Sequence, residues 1–189
     1  MAHLPELLDA GDGLVLRRWS VGDAAALDAL IADNLEHLRP YMPWIGEEPK
    51  TLAQRAELIA TWDGEWRAGQ TVVFGMWLDG ELAGSCGLHD RIGPTGREIG
   101  YWVGRRHLGR SLAARSSALL TSGAFAADPS IAVVEIHHDE SNWRSRRVPE
   151  QLGYTEVGVI ELTRDLAPAE TGREHVWRVT RDEWAALGR

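Results

Sequence analysis

The chain is poor in the residues that make covalent cross-links. It has one cysteine, Cys86, among 189 residues. That count excludes an intramolecular disulfide and any metal site built from several cysteines. Its neighbours, Gly84-Ser85-Cys86-Gly87-Leu88, read as a buried strand carrying an inert thiol. No apolar run approaches the length of a membrane span, so no membrane partner is expected. The first residues lack the basic-then-apolar pattern of a signal peptide, which points to the cytoplasm. Positive charge is scarce as well: 20 Lys and Arg stand against 28 Asp and Glu, a formal net charge of -8. Nucleic-acid-binding domains are usually basic, so no nucleic-acid partner is expected. Repeats, low-complexity tracts and linkers are missing too. With 44% hydrophobic residues the chain can bury one substantial core, and a single domain over 1–189 is the simplest reading.

What is present is a sequence of well-marked elements. Residues 1–12 look like a lead-in to a strand at Leu14-Val15-Leu16. A capping turn at 20–23 precedes a helix from Ala24 to Ala32, and residues 34–39 extend into a second short helix. Pro40 and Pro43 bound a loop carrying Tyr41, Met42 and Trp44. A helix from Thr51 to about Ala68 carries Trp62 and Trp66 one turn apart, a spacing that suits core packing. Strands at 71–78 and 81–89 flank the hairpin turn Asp79-Gly80. A turn at 93–96 leads to a third strand, Glu98 to Val103, completing an antiparallel meander.

That third strand opens the most informative stretch, residues 97–127. A basic turn follows it, with arginines at 105, 106 and 110, and then a helix of small residues with Leu112, Leu119, Leu120 and Phe125. A helix start leaves N–H groups unpaired and carries partial positive charge, so this turn is suited to a phosphate or pyrophosphate. A strand at 131–138 follows and should run parallel to the one at 98–103. Asn142 can cap a short helix that ends at Gly153, with Pro149 awkwardly inside it. Strands at 155–163 and 174–180 flank a loop at 164–173, and a last helical turn closes the chain.

The order of these elements and several motifs resemble the GNAT superfamily of acyl-CoA-dependent N-acyltransferases, specifically its RimJ/RimL-like ribosomal-protein N-terminal acetyltransferase branch. The resemblance runs over nearly the whole chain. It rests on Leu38-Arg39-Pro40-Tyr41-Met42-Pro43-Trp44, on Glu98-Ile99-Gly100-Tyr101-Trp102, on Asn142-x-x-Ser145-Arg146-Arg147-Val148 leading to Leu152-Gly153-Tyr154, and on Trp177-x-x-Thr180-Arg181-Asp182-Glu183-Trp184. It implies a mixed α/β (α+β) sheet with an N-terminal antiparallel meander, a splayed parallel strand pair and flanking helices. It implies acetyl-CoA as co-substrate, no metal, and a primary amine as acceptor, either a protein N-terminus or a small molecule. A homodimer is consistent with it. The alternative function is a catalytically silent acyl-CoA-binding or interaction module.

The family's cofactor loop, Arg-Gly-x-Gly-x-Ala, falls on Leu108-Gly109-Arg110-Ser111-Leu112-Ala113. Gly109 and Ala113 fit; Leu108 and Ser111 depart from it. The Ser111 hydroxyl is expected either to donate to a phosphate or to cap the helix. The pantetheine arm is expected between the splayed strands, near the backbone of Trp102 and Val103, with the Val103 N–H holding the oxyanion. Asn142 is expected to bond the pantetheine arm, and one of Arg144, Arg146 and Arg147 a coenzyme phosphate. Glu98 is the first candidate base, acting directly or through water, with Glu135 and Glu161 as rivals and an arginine pair as its structural alternative. Many superfamily members use a tyrosine as acid where this chain has Pro149, which has no proton to give. Ser145 takes that role by resemblance, or else caps the helix. Tyr41 and Trp44 line the acceptor groove, with Glu36, Glu47 and Glu48 near to attract a cation. His137 and His138 alternate across a strand and so would not share a metal.

Overall fold

The computed structural model describes residues 4–188; residues 1–3 of the expected lead-in and Arg189 lie outside that span. The elements in chain order are β1 (Leu7–Asp9), β2 (Leu14–Arg18), α1 (Ala24–Ala32), α2 (Leu35–Leu38), α3 (Leu52–Arg67), β3 (Val72–Leu78), β4 (Glu81–His89) and β5 (Gly96–Val103). There follow α4 (Leu112–Ala127), β6 (Val133–Asp139), α5 (Trp143–Leu152), β7 (Thr155–Glu161), β8 (Arg173–Thr180) and α6 (Arg181–Ala186). The strands form one mixed sheet in the order β1-β2-β3-β4-β5-β6-β8-β7. β5 and β6 run parallel, and the other pairings are antiparallel.

Two expectations change. The lead-in contains a strand, because Leu7–Asp9 pairs with Val15–Arg17 and shields the β2 edge. Pro43 does not merely bound a loop. It opens a 3-10 turn, Pro43–Glu47, since its fixed φ suits a first helical position. The buried Arg55 of α3 pins the end of that turn through Glu48 at 2.8 Å and also meets Asp28 of α1 at 3.2 Å.

Register divides the sheet into two unlike faces. One apolar row crosses five strands as Val72, Leu88, Ile99, Ile136 and Trp177. With Phe74 and Met76 it packs against Leu112, Leu120 and Phe125 of α4 and Val148 and Leu152 of α5. Each such fully buried side chain contributes about 1.5–3 kcal/mol, which makes this face the scaffold. The opposite face carries a polar row, His89, Glu98, Glu135 and Arg178. There α1, α3 and the 3-10 turn pack around Trp19, Leu27, Ile31, Ile45 and Ile59. They lie toward β3 and β4, so the polar row beyond them borders a cavity.

The β5–β6 ladder stops early. It runs from Gly96↔Val133 to Ile99↔Ile136. β4 nevertheless follows β5 to Val103, and β8 follows β6 to Asp139. The ends of the parallel pair therefore diverge, leaving a wedge bordered by Gly100–Val103 and His137–Asp139.

Candidate active site

The wedge presents unpaired backbone. Gly104 donates to the Ala83 carbonyl at 2.7 Å, which sets the alternation along β5. Gly100 and Trp102 then bond β4, while Tyr101 and Val103 turn their N–H groups toward the wedge. The Val103 carbonyl lies 3.2 Å from His37 Nε2, and the Arg105 N–H donates to Asn34 Oδ1 at 2.7 Å. These two contacts fix the strand end against α2. The indole of Trp102 points to the other face and meets Trp44, ring centres 6.1 Å apart.

Beyond β5 the chain makes two left-handed steps before α4. Gly109 has φ 78°, and Ser111 has φ 54°. Glycine enters that region freely, whereas a side chain there costs about 1–2 kcal/mol. The Ser111 hydroxyl makes no capping bond, so the capping half of its expected role is corrected. A left-handed N-cap residue does not hold its side chain over the N–H groups as an extended one does. Those N–H groups are left for another acceptor. A side chain on Gly109 would meet nothing within 4 Å, so this approach is open. Leu108 is exposed and Leu112 is buried in the core, so neither supplies a polar side chain; backbone N–H groups and the exposed Arg110 supply the polarity. This arrangement fits a pyrophosphate.

Across the wedge stands α5. Asn142 caps it, accepting from the Ser145 N–H at 3.2 Å. Pro149 has no N–H to give to the Ser145 carbonyl one turn back. That carbonyl instead accepts from the Tyr101 hydroxyl at 3.3 Å, and the same hydroxyl lies 2.7 Å from Ser145 Oγ. The proline that removes the expected tyrosine acid thus leaves room for another tyrosine to reach Ser145. Burial pushes the Tyr101 phenol well above its ordinary value, against the lowering effect of Ser145, so it stays protonated.

The polar row forms the cavity floor. Glu135 accepts from Arg178 Nε at 2.7 Å and lies 2.8 Å from His137 Nε2. Glu174 lies 3.7 Å from the other ring nitrogen of His137. Burial alone would lower the His137 pKa. Glu174, Glu135 and the charge of Glu98 outweigh it and raise it to about 9. Glu98 itself meets Arg91 at 3.3 Å, not its neighbour Arg97. Glu161 is exposed on the outer strand beside Arg173, away from the cavity, and is withdrawn as a rival base. His138 faces the other side, accepting from Trp177 Nε1 at 3.0 Å and stacking on His175. His89 lies on the cavity side, and burial with the nearby Arg91 lowers its pKa to about 4 despite Asp90.

The cavity has a volume of about 990 Å3. Glu98, Trp102, Asn142, Ser145, Tyr41 and Trp44 all border it. Val103 and the 108–113 turn do not; they lie at the outer end of the wedge and the start of α4. Two loops close the far wall. Tyr41 donates to the Ser141 carbonyl at 3.2 Å, and the Ala169 N–H donates to the Pro40 carbonyl at 2.9 Å. Behind them Asp139 accepts from the N–H groups of Ser141, Thr171 and Gly172 at 2.8–3.0 Å. Those bonds outweigh burial and hold its pKa below the ordinary carboxylate value. Sequence patterning does not mark Tyr101, His89 or Asp139 as site residues, and it raises His137 only as a metal ligand that strand alternation excludes. For Tyr101 the usable signal was Pro149, which predicts a free carbonyl one turn earlier.

The sequence matches the acetyltransferase (GNAT) domain family over residues 13–155. It is 28% identical over 148 residues to the "Putative ribosomal N-acetyltransferase YdaF" of Bacillus subtilis (strain 168), covering 77% of this chain and 79% of that protein. Its fold matches RimL, a ribosomal L7/L12 alpha-N-protein acetyltransferase solved with coenzyme A, at TM-score 0.84 and 18% identity, over 94% of this chain and 99% of that one. RimJ of Mycobacterium smegmatis, solved with CoA-disulfide, gives 0.80 and 21%, over 98% and 94%. The microcin C7 self-immunity acetyltransferase MccE, solved with acetyl-CoA and AMP, gives 0.83 and 16%, over 95% and 98%. With the mixed sheet, the split parallel pair and the helix behind it in place, the chain belongs to the GNAT acetyltransferase family and is an N-acetyltransferase that moves an acetyl group to an amine.

Proposed function

We propose that this enzyme takes its acetyl group from acetyl-CoA and delivers it to the α-amine of a protein N-terminus. One observation carries the reading: a continuous cavity joins the Asn142–Ser145 end of α5 to the aromatic wall at Tyr41 and Trp44. A donor in the wedge and an acceptor at that wall would meet inside it. Acetyl-CoA supplies an activated acyl carbon. The chain's residues bind and orient it: the 108–113 turn and the start of α4 take the pyrophosphate, and Asn142 with the strand edge takes the pantetheine arm.

The amine attacks the thioester carbonyl, and an N–H that β5 turns into the wedge, Tyr101 where it borders the cavity or Val103 beyond it, stabilises the oxyanion. Glu98 on the cavity floor receives the amine's proton through water. The C–S bond then breaks, and Ser145, its Oγ held 2.7 Å from the Tyr101 hydroxyl, gives its hydroxyl proton to the thiolate; the proton shed by the amine returns through Glu98 and water to Ser145. Acids lining the cavity outnumber its lysines and arginines, which suits an acceptor that arrives as an N-terminal α-ammonium; with a pKa of about 7.7–8.0 it sheds that proton to solvent before attack. The same reading treats residues 1–189 as one domain that acts in the cytoplasm, assembled as a homodimer in solution, which light scattering would test.

Two measurements decide it. Calorimetry should show acetyl-CoA binding, and CoA release should follow with seryl- or alanyl-initiated peptides in preference to small primary amines. Preference for a small amine would move the acceptor class. Binding without release on any amine would leave a silent module. Glu98→Gln, Ser145→Ala and Tyr101→Phe should each lower kcat by about tenfold or more, with acetyl-CoA affinity retained.

A further inference from the structure

His89 lies across a notch in the sheet. Gly87 and Gly100 are direct partners on β4 and β5. A Cβ on Gly100 would stand 3.2 Å from His89 Nε2, and one on Gly87 would stand 3.5 Å from the same atom. Both glycines therefore leave the imidazole room to lie flat on the cavity face. The ring starts opposite Glu98, its partner in the ladder, and reaches toward Gly100, the first residue past the last β5–β6 pair. Nε2 thus sits over Gly100, on the cavity face at the level where the wedge opens. Glu98 lies two residues further back, about 7 Å along the strand.

The other bases on this floor are committed. Glu135 is held by Arg178 and His137, and Glu174 lies near His137 and Arg164. His137 carries a proton at neutral pH, so it cannot accept one. The His89 ring makes no hydrogen bond with the described residues and is neutral at pH 7, because burial and Arg91 outweigh Asp90. Its facing charges are Glu98 across the ladder and Arg91 and Asp90 beyond its own strand.

We propose that His89 is the catalytic group that takes the proton from the attacking amine, with Glu98 receiving it afterwards. The amine lone pair forms the N–C bond as the carbonyl π pair moves to oxygen, and the nitrogen gives its proton to the free ring nitrogen of His89. The C–S bond breaks, the thiolate takes the Ser145 proton, and the imidazolium gives its proton through Glu98 and water back to Ser145. The sum is amine plus acetyl-CoA giving amide plus CoA. This step rests on the acetyl transfer proposed above.

The test compares His89→Gln, His89→Ala and wild type with a seryl-initiated peptide accepted by wild type, or benzylamine if no peptide is accepted. His89→Gln keeps size and polarity but not basicity. It should lower kcat by about 100-fold, within the range of general base catalysis, with the acetyl-CoA Kd and the acceptor KM within about threefold. Added imidazole should raise the rate of His89→Ala in proportion to its concentration, which a packing role would not produce. In wild type with unreactive desulpho-CoA, the His89 ring resonances should move when the peptide is added. His89→Gln with kcat within about threefold of wild type, and no imidazole rescue, overturns the assignment while acetyl transfer stands. Wild type that binds acetyl-CoA but acetylates no acceptor overturns both.

Discussion

Asp139→Ala should separate the acceptor side of the cavity from the donor side. The buried carboxylate accepts from Ser141 N–H at 2.9 Å, Ser141 Oγ at 2.7 Å, Thr171 N–H at 2.8 Å and Gly172 N–H at 3.0 Å, with Thr171 Oγ at 3.2 Å. Every partner is a donor. Alanine leaves several of them without an acceptor, at about 1–3 kcal/mol for each one that stays buried. Local relaxation returns some to water, so a net loss of about 3 kcal/mol is expected. For a chain of this length that lowers Tm by about 6–12 °C. Asp139→Asn is nearly isosteric yet must turn an NH2 group toward these donors, so it too should lose about 1–2 kcal/mol.

The same bonds tie the 162–172 loop to the end of β6, and that loop carries Arg164 and Glu170 on the cavity wall. Loosening it should raise the KM for a peptide acceptor about tenfold, a loss of about 1.4 kcal/mol. The acetyl-CoA Kd should stay within about twofold, because α4 and the wedge edge of β5 keep their own packing. Calorimetry and steady-state kinetics on the two variants provide the comparison. The sign with pH follows from the depressed folded pKa. The stabilisation is present above the unfolded value near 3.9 and is lost as pH falls through the lower folded value, so wild type and Asp139→Ala should converge in strong acid. A Tm within about 2 °C of wild type near neutral pH would refute the pinning role.

Three other measurements probe separate parts of the site. Gly84→Ala places a Cβ 2.3 Å from the Trp102 carbonyl oxygen and 3.0 Å from Val103 Cα; neither backbone atom can yield cheaply, so denaturant unfolding should show a loss of about 2–3 kcal/mol. Ser111→Gly relieves a left-handed residue at φ 54° and should stabilise the free enzyme by up to about 1 kcal/mol in the same experiment. His137 is raised to about 9, so its contribution is complete below pH 6.5 and is lost as pH rises toward 9; the stability gap between wild type and His137→Gln should narrow over that window.

The parts of this enzyme legible in sequence are those whose cause is local. The Asp79-Gly80 hairpin, the capped start of α3 at Thr51 and the strand-turn-helix from β5 to α4 each carry their own turn or cap chemistry. The short strand Leu7–Asp9 carries none: three residues show no period, and pairing with β2 makes it a strand. The cavity floor was hidden for the same reason at longer range. Glu98, Glu135 and Arg178 are ordinary charged residues of three strands until the ladder register sets them in one row. Tyr101 and Ser145 meet because a missing amide at Pro149 leaves a carbonyl free, and sequence shows that only to a reader who asks where that carbonyl goes.

Ser111 makes the same point about the donor site. From sequence, serine in place of glycine raises the question whether the turn still forms. The chain adopts the left-handed conformation regardless, and the hydroxyl recovers none of the cost by capping α4. Strain of this kind persists when the surroundings over-determine it. Here Leu112, one residue later, is fixed in the core, and Arg115 N–H closes the first helical turn on the Ser111 carbonyl at 2.9 Å. The position of α4 therefore dictates the backbone at 111, and the free N–H groups at its start are retained whichever residue stands there. An anion that accepts those N–H groups interacts with backbone common to serine and glycine. Ser111→Gly should accordingly change the stability of the free enzyme more than its acetyl-CoA Kd, and a Kd altered by more than about tenfold would place the serine hydroxyl itself on the phosphate.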